Sequence, residues 1–342
     1  MTGTPTAGAG RALRTLGPFE VPAVGLGCMN LSHAYGVPPT PEEAEQLLLT
    51  ALEEGVTLFD TAALYGSGAN EKLLGRVLAD YRDRIVLASK CGLTSVGGRR
   101  VIDGHPKTIR RSADEALTRL RTDVLDLYYL HRVDRQVPIE ESVGAMAELV
   151  VAGKVRAIGL SEASAGTLRR AHVVHPIAAL QNEYSLWSRN PEERTLAATR
   201  ELGVALVAFS PLARGFLTSA PPDLPSLPEG DIRRGMPRFN TPHYPANLAL
   251  WRELRQIAED AGLTLAQLAL AWAVSRGSHV IAIPGTRSVT HLRENLSAAD
   301  LDVPGETLDA AGRVLNAATV HGARYSEALL ADIDTEPCGS AG

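Results

Sequence analysis

The chain has 342 residues, 45% of them hydrophobic, enough for one large core or two ordinary ones. Its 34 basic and 39 acidic residues are well mixed and leave a net charge of -5, which argues against a nucleic-acid surface. No apolar run approaches the ~18 residues of a membrane span, the small polar opening lacks a signal-peptide core, and the scattered Cys28, Cys91 and Cys338 form no disulfide framework, which fits a reducing cytoplasm.

A single domain over residues 1–342 is expected, with flexible tails at 1–11 and 333–342. Residues 12–21 break at Gly17-Pro18 and read as a β-hairpin, and a strand at 23–27 follows. Strand and helix then alternate. A helix over 41–55 has Thr40 as N-cap and Pro41 at its first position. The strand at 56–59 stops at Asp60, Tyr65 lies in the loop beyond it, and Asn70 reads as the N-cap of a helix to 79. The next strand ends at Lys90, and 91–107 reads as a Gly-rich loop before a helix over 108–120. The strand LDLYYL ends at His131, and after a helix over 139–152 the strand VRAIGL ends at Ser161. A helix at 164–172, a strand at 177–183, a helix at 191–201 and a strand at 204–210 follow.

Seven prolines interrupt the rhythm over 213–245, as a lid over a site or a plain insert. Helices at 246–260 and 264–276, a strand at 280–285 and helices at 289–298 and 307–318 complete the pattern. Eight apolar strands with helices between them predict an α/β fold, a (β/α)8 barrel with an N-terminal hairpin and extra C-terminal helices.

Such barrels place chemistry at the strand ends. Asp60, Lys90 and His131 each close one of three successive strands, and Tyr65 sits in the loop after the first. A tyrosine is a weak acid, with a pKa of about 10; a nearby ammonium lowers that value, and a carboxylate keeps a buried ammonium charged. With an imidazole to orient the same oxygen, the four read as a device that gives one proton to a carbonyl or takes one from an alcohol. Each residue alone has a plainer reading, as a turn, a cap or a structural histidine. No side chain supplies a hydride, so a cofactor is required. The usual dinucleotide fingerprint fails, because Gly25 and Gly27 are followed by Asn30, and neither a Walker motif nor HExxH is present; no metal is expected.

FDTAALYG with NEKLLG, Lys90, LYYLHR, GKVRAIGLSE, QNEYSLW, FSPLARGFL and IPGTRSVTHLREN together resemble the aldo-keto reductases, from about residue 16 to 298. Among these the chain is similar to the bacterial and plant branch around auxin-induced and pyridoxal reductases, to which potassium-channel β-subunits are related. The resemblance implies a TIM barrel and NADPH-dependent reduction of an aldehyde or ketone. It implies Tyr65 as the acid with Lys90, Asp60 and His131. It also implies Ser161 and Gln181 on the nicotinamide amide, Phe209 under the ring, and Ser210, Leu212 and Gly215 around the pyrophosphate. Gly285, Thr286, Arg287, His291, Glu294 and Asn295 would then hold the adenosine end. Where relatives carry Asn after Ser161, this chain has Glu162. A guanidinium at Arg287, leading into a helix N-terminus, favours a 2′-phosphate and therefore NADPH, with NADH as a weaker alternative.

Met29, Leu31, Tyr35 and Trp187, with Phe239 or Tyr244, are candidate pocket residues for a small carbonyl substrate. Arg132, Arg233, Arg234 and Arg238 leave an anionic substrate open. The rival function is a cofactor-binding redox sensor with little turnover; a Schiff-base lyase through Lys90 is disfavoured by Asp60. Natural substrate, direction and oligomeric state are open, since loops vary on one fold.

Overall fold

The computed structural model of the protein describes residues 12–338 other than 33 and 98; the tail expectations for 1–11 and 339–342 lie outside the described residues. Strands β1 (Leu13–Leu16) and β2 (Phe19–Pro22) form an antiparallel hairpin turned at Gly17, whose φ of 58° suits glycine. The barrel strands are β3 (Leu26–Gly27), β4 (Leu58–Asp60), β5 (Val86–Cys91), β8 (Leu125–Leu130), β9 (Val155–Ser161), β10 (Ile177–Glu183), β11 (Ala205–Phe209) and β12 (Val280–Ile283). They pair in parallel in chain order. Closure comes where Val24 bridges Ala282, with the Gly25 N–H donating to the Ala282 carbonyl at 2.9 Å. A Cβ on Gly27 would lie 2.7 Å from the Ile283 carbonyl oxygen, so the seam needs a glycine there. The expected eight-stranded barrel and its leading hairpin are both present.

Helices α1 (Pro41–Glu53), α2 (Ala69–Leu78), α3 (Pro106–Leu120), α4 (Ile139–Val151), α5 (Ala165–Val174) and α6 (Thr195–Leu202) pack outside the strands. So do α7 (His243–Asp260), α8 (Leu265–Ser275), α9 (Val289–Ser297) and α10 (Gly305–Val314), with a short α11 (Glu327–Leu330) near the end. Thr40 caps α1 as expected, accepting from the Glu43 N–H while the Glu43 carboxylate accepts from the Thr40 N–H at 2.8 Å.

The strand period of two decides which side chains meet inside. Leu58, Ala88, Leu127, Tyr129, Ala157, Ala179, Ala205, Val207 and Ile281 fill the barrel, with Leu16 and Val21 of the hairpin packed against them. Two residues beyond Leu58, Ala88 and Tyr129 along the same inward rows stand Asp60, Lys90 and His131. The same step leads from Gly159 to Ser161, from Ala179 to Gln181, and from Val207 to Phe209. One side-chain parity therefore aims six polar or aromatic groups at one mouth.

Five expectations need correction. Residues 91–107 are not a plain loop but carry an antiparallel hairpin, β6 (Leu93–Val96) with β7 (Arg99–Ile102); strands of four residues each are too short to show an alternating pattern. Asn70 is not an N-cap. Gly68, at φ 88°, precedes the helix, and Asn70 is fully buried, accepting from the Thr61 hydroxyl at 2.6 Å and donating to the Cys28 carbonyl and Ser32 hydroxyl, each at 2.9 Å. α10 stops at Val314, where a turn closed by Asn316 and Thr319 takes over. Residues 333–338 do not fray. Asp334 and Glu336 accept the N–H groups of Ser164 and Ala165, each at 2.9 Å, at the start of α5, supplying acceptors that a helix N-terminus lacks. Residues 213–242 are a series of short turns, tied at their centre by Asp231 to the Gly36 and Arg233 N–H groups, each at 3.0 Å, and α7 begins at His243, three residues earlier than expected.

Candidate active site

Lys90 is 1% exposed and donates three hydrogen bonds: to Asp60, to the Thr61 carbonyl at 2.8 Å, and to the Tyr65 hydroxyl at 3.2 Å. Tyr65 reaches it because Gly66, Ser67 and Gly68 all take positive φ and fold the loop after β4 back over the mouth. The second oxygen of Asp60 accepts from the Gln181 amide at 2.8 Å. The His131 ring stands edge-on to Tyr65, with centroids 5.9 Å apart. The sequence-predicted quartet thus converges.

Burial works against charge on Lys90, but Asp60 and Tyr65 outweigh it and hold the ammonium above the ordinary lysine range. Burial pushes the Tyr65 phenol up; Lys90 pulls against this, Asp60 adds to it, and the balance stays above the ordinary tyrosine value. The ammonium offsets part of the burial but does not lower the phenol below its ordinary value, which corrects the expectation from sequence. Burial, then Arg132, Lys90 and Arg100, drive His131 well below the ordinary histidine value, so its ring is neutral near pH 7. Its buried Nδ1 has no hydrogen-bond partner among the described residues. Cys91 is an inert neighbour, pushed up to about 12 chiefly by burial.

Asp60, Tyr65 and His131 line a cavity of about 660 Å³, with Lys90 buried behind them. Ser161, Gln181, Phe209, Ser210, Leu212, Gly215, Gly285, Thr286, Arg287 and His291 all line it, as do Met29 and Tyr35. Glu294 and Asn295, a turn further along α9, are not on the lining. Leu31 and Trp187 are not either: Leu31 is 4% exposed in the core, and Trp187 stacks with Phe239 beside Phe216 and Tyr244 in an aromatic cluster of the core. Sequence reasoning missed Arg100, on the unrecognised hairpin, and Tyr325, Ser326 and Leu329, which the C-terminal segment brings to the cavity; no local pattern marks them.

Glu162 turns away from the cavity. At φ 53° and fully buried, its carboxylate is gripped by Arg324 through two bonds of 3.2 and 2.7 Å and accepts the Glu183 N–H at 2.8 Å. Glu183 in turn binds Arg214 at 2.7 Å, and Arg214 donates to Tyr35 at 3.0 Å and to Tyr325. This buried ion network ties the strand ends to the loop after β11 and to the C-terminal segment.

The lining suits an anionic nucleotide. Five arginines, Arg100, Arg132, Arg214, Arg233 and Arg287, line the cavity against one carboxylate, Asp60. Arg287 is exposed and, among the described residues, bonded only to the Val37 carbonyl. Beside it, Ser288 caps α9. Asn30 presents at the same wall a buried Oδ1 that has no partner among the described residues. A Cβ on Gly285 would meet that oxygen and the Gly27 carbonyl at 3.0 Å, so glycine keeps the floor low.

The model of the aldo/keto reductase family matches residues 23–330. A probable aldo-keto reductase of Glycine max is 40% identical over 313 residues, 91% of this chain and 90% of that one. Among solved structures, the glycerol dehydrogenase of Gluconobacter oxydans superposes with a TM-score of 0.81 at 27% identity, covering 88% of this chain and 94% of that one. An aldo/keto reductase of Klebsiella pneumoniae, in complex with NADP and acetate, gives 0.70 at 27% identity over 93% of this chain and 99% of that one. With its closed barrel and its lysine-bound tyrosine at the mouth, the chain belongs to the aldo/keto reductase family.

Proposed function

We propose that the protein reduces an aldehyde or ketone to an alcohol, reversibly, with NADPH as its cofactor and Tyr65 as the acid. The observation that carries this is the Lys90–Tyr65 hydrogen bond of 3.2 Å, backed by Asp60, at the wall of a cationic cavity. NADPH, when bound, supplies the hydride. The chain's own part is to hold the carbonyl and move one proton. Lys90 donates to the phenol oxygen, which directs Tyr65 to act as donor towards the carbonyl oxygen. A neutral His131 orients that oxygen without competing for its proton. Preorganised donors of this kind act where charge develops, and need no rearrangement as it does so.

In this reading Ser161 and Gln181 would take the nicotinamide amide, Phe209 its ring, and the 210–215 and 285–291 segments the phosphates; all contribute to the cavity wall. Burying the Glu162 carboxylate against Arg324 removes it from that amide. Related proteins solved with NADP and with NADPH support the cofactor assignment. The test is NADPH consumption with a panel of aldehydes and ketones. Carbonyl-dependent oxidation is expected. Tight NADPH binding with no turnover on any carbonyl would favour the sensor reading instead.

A further inference from the structure

Of the four arginines that the sequence leaves open for an anionic substrate, the structure occupies three. Arg233 forks onto Asp231 at 2.9 and 2.7 Å. Arg234 donates to the Leu224 and Leu227 carbonyls at 3.3 and 2.7 Å. Arg238 is buried against the Trp187 and Gly322 carbonyls at 2.6 and 3.0 Å. Arg132 is different. It lines the cavity beside His131, is 6% exposed, and donates to the His131 carbonyl at 2.6 Å and the Ser161 hydroxyl at 3.5 Å. Among the described residues it has no carboxylate partner, and its buried Nε has no hydrogen-bond partner.

The β6–β7 hairpin brings a second guanidinium to the same cavity. Arg100 is exposed and makes no hydrogen bond or ion pair among the described residues. The remaining charges on the wall are accounted for. Glu183 holds Arg214, Asp231 holds Arg233, and Lys90 neutralises Asp60. Arg287 belongs to the segment assigned above to the nucleotide. Arg100 and Arg132 are left as two positive charges near the reacting centre with no ion-pair partner among the described residues, Asp332 acting on Arg100 only from a distance. Although Arg100 is exposed, partial desolvation and then the nearby Arg132 lower its guanidinium, while Tyr325 and Asp332 pull the other way.

We propose that Arg100 and Arg132 form an anion subsite beside the reducing centre, and that the preferred substrate is a carbonyl compound bearing a carboxylate. The planar fork of a guanidinium matches a carboxylate. Ser95 of β6 and Ser326 of the C-terminal segment line the same cavity and offer further donors. This specificity rests on the reductase reading above.

A matched pair tests it: kcat/KM for 4-carboxybenzaldehyde against benzaldehyde at low ionic strength. The carboxylated aldehyde should be favoured by about 10-fold or more, the scale of one charge-assisted hydrogen bond, and salt should erode the preference. In Arg100→Ala the ratio should fall towards one, and Arg100→Lys should restore part of it. Binding of 4-carboxybenzyl alcohol and benzyl alcohol to the NADP-loaded protein, followed by calorimetry, separates the two readings. Equal turnover of both aldehydes, or a preference that survives both Arg100→Ala and Arg132→Gln, overturns the subsite while leaving the reductase intact. An Arg100-dependent preference for the carboxylated alcohol, with no NADPH consumed by either aldehyde, removes the reductase reading and supports the subsite.

Discussion

Tyr65 and Lys90 share one hydrogen bond, and the chemistry proposed here turns on it. Replacing Tyr65 with Phe removes the proton and keeps the ring's packing against His131. Tyr65→Phe should lose turnover by about 100-fold or more, the usual scale for an acid–base group, while the NADPH dissociation constant changes little. Unchanged turnover would rule Tyr65 out as the acid. The direction of the tyrosine shift also sets a pH profile. With the phenol held above its ordinary value and His131 neutral, kcat/KM for carbonyl reduction should stay level from about pH 6.5 to 9 and fall only as the pH rises past about 10. A limb near pH 6 to 7 would show His131 titrating in the active enzyme.

At the scale of elements, close backbone contacts hold the helices that carry the site loops. α2 crosses α3 at Gly75, where a Cβ would lie 2.5 Å from the Arg119 carbonyl oxygen and 2.7 Å from the Leu120 Cα. Both are backbone atoms in a helix and cannot give way as a side-chain tip could. Gly75→Ala should therefore cost roughly 2 kcal/mol of stability, read as a lower denaturant midpoint. It should also loosen Glu71, which is buried between Ser89 at 2.6 Å and Arg119 at 2.5 Å on the turn before. An unchanged midpoint would mean the helices can separate freely.

Across the whole molecule, the Glu162–Arg324–Glu183–Arg214 network joins two strand ends to a loop and to the C-terminal segment. Burial disfavours the Glu183 carboxylate, yet Arg214, Arg324 and Ser188 outweigh it and hold it at about 2. An unfolded glutamate titrates near 4.3. Because the folded value is depressed, this group's contribution is complete above about pH 4.5 and is lost as pH falls towards 2. That contribution is on the order of 3 kcal/mol. Urea midpoints across this window should fall less steeply in Glu183→Gln than in the parent, although the variant starts less stable at neutral pH. Parallel slopes would mean the carboxylate carries no such linkage.

Local physics made much of this legible in the amino-acid order. Alternating apolar strands and capped helices specified the barrel, because burial on both faces needs continuous apolar runs. Strand period two carried Asp60, Lys90 and His131 to a common mouth. The polar β6–β7 hairpin, the docking of 333–338 and the burial of Leu31 and Trp187 were invisible, since each depends on partners far along the chain. Tertiary structure alone decided that Glu162 serves Arg324, that Tyr325 joins the cavity, and that Arg100 and Arg132 line one wall without an ion-pair partner among the described residues. Charge balance is a property of what surrounds a side chain in space, and sequence neighbours do not record it.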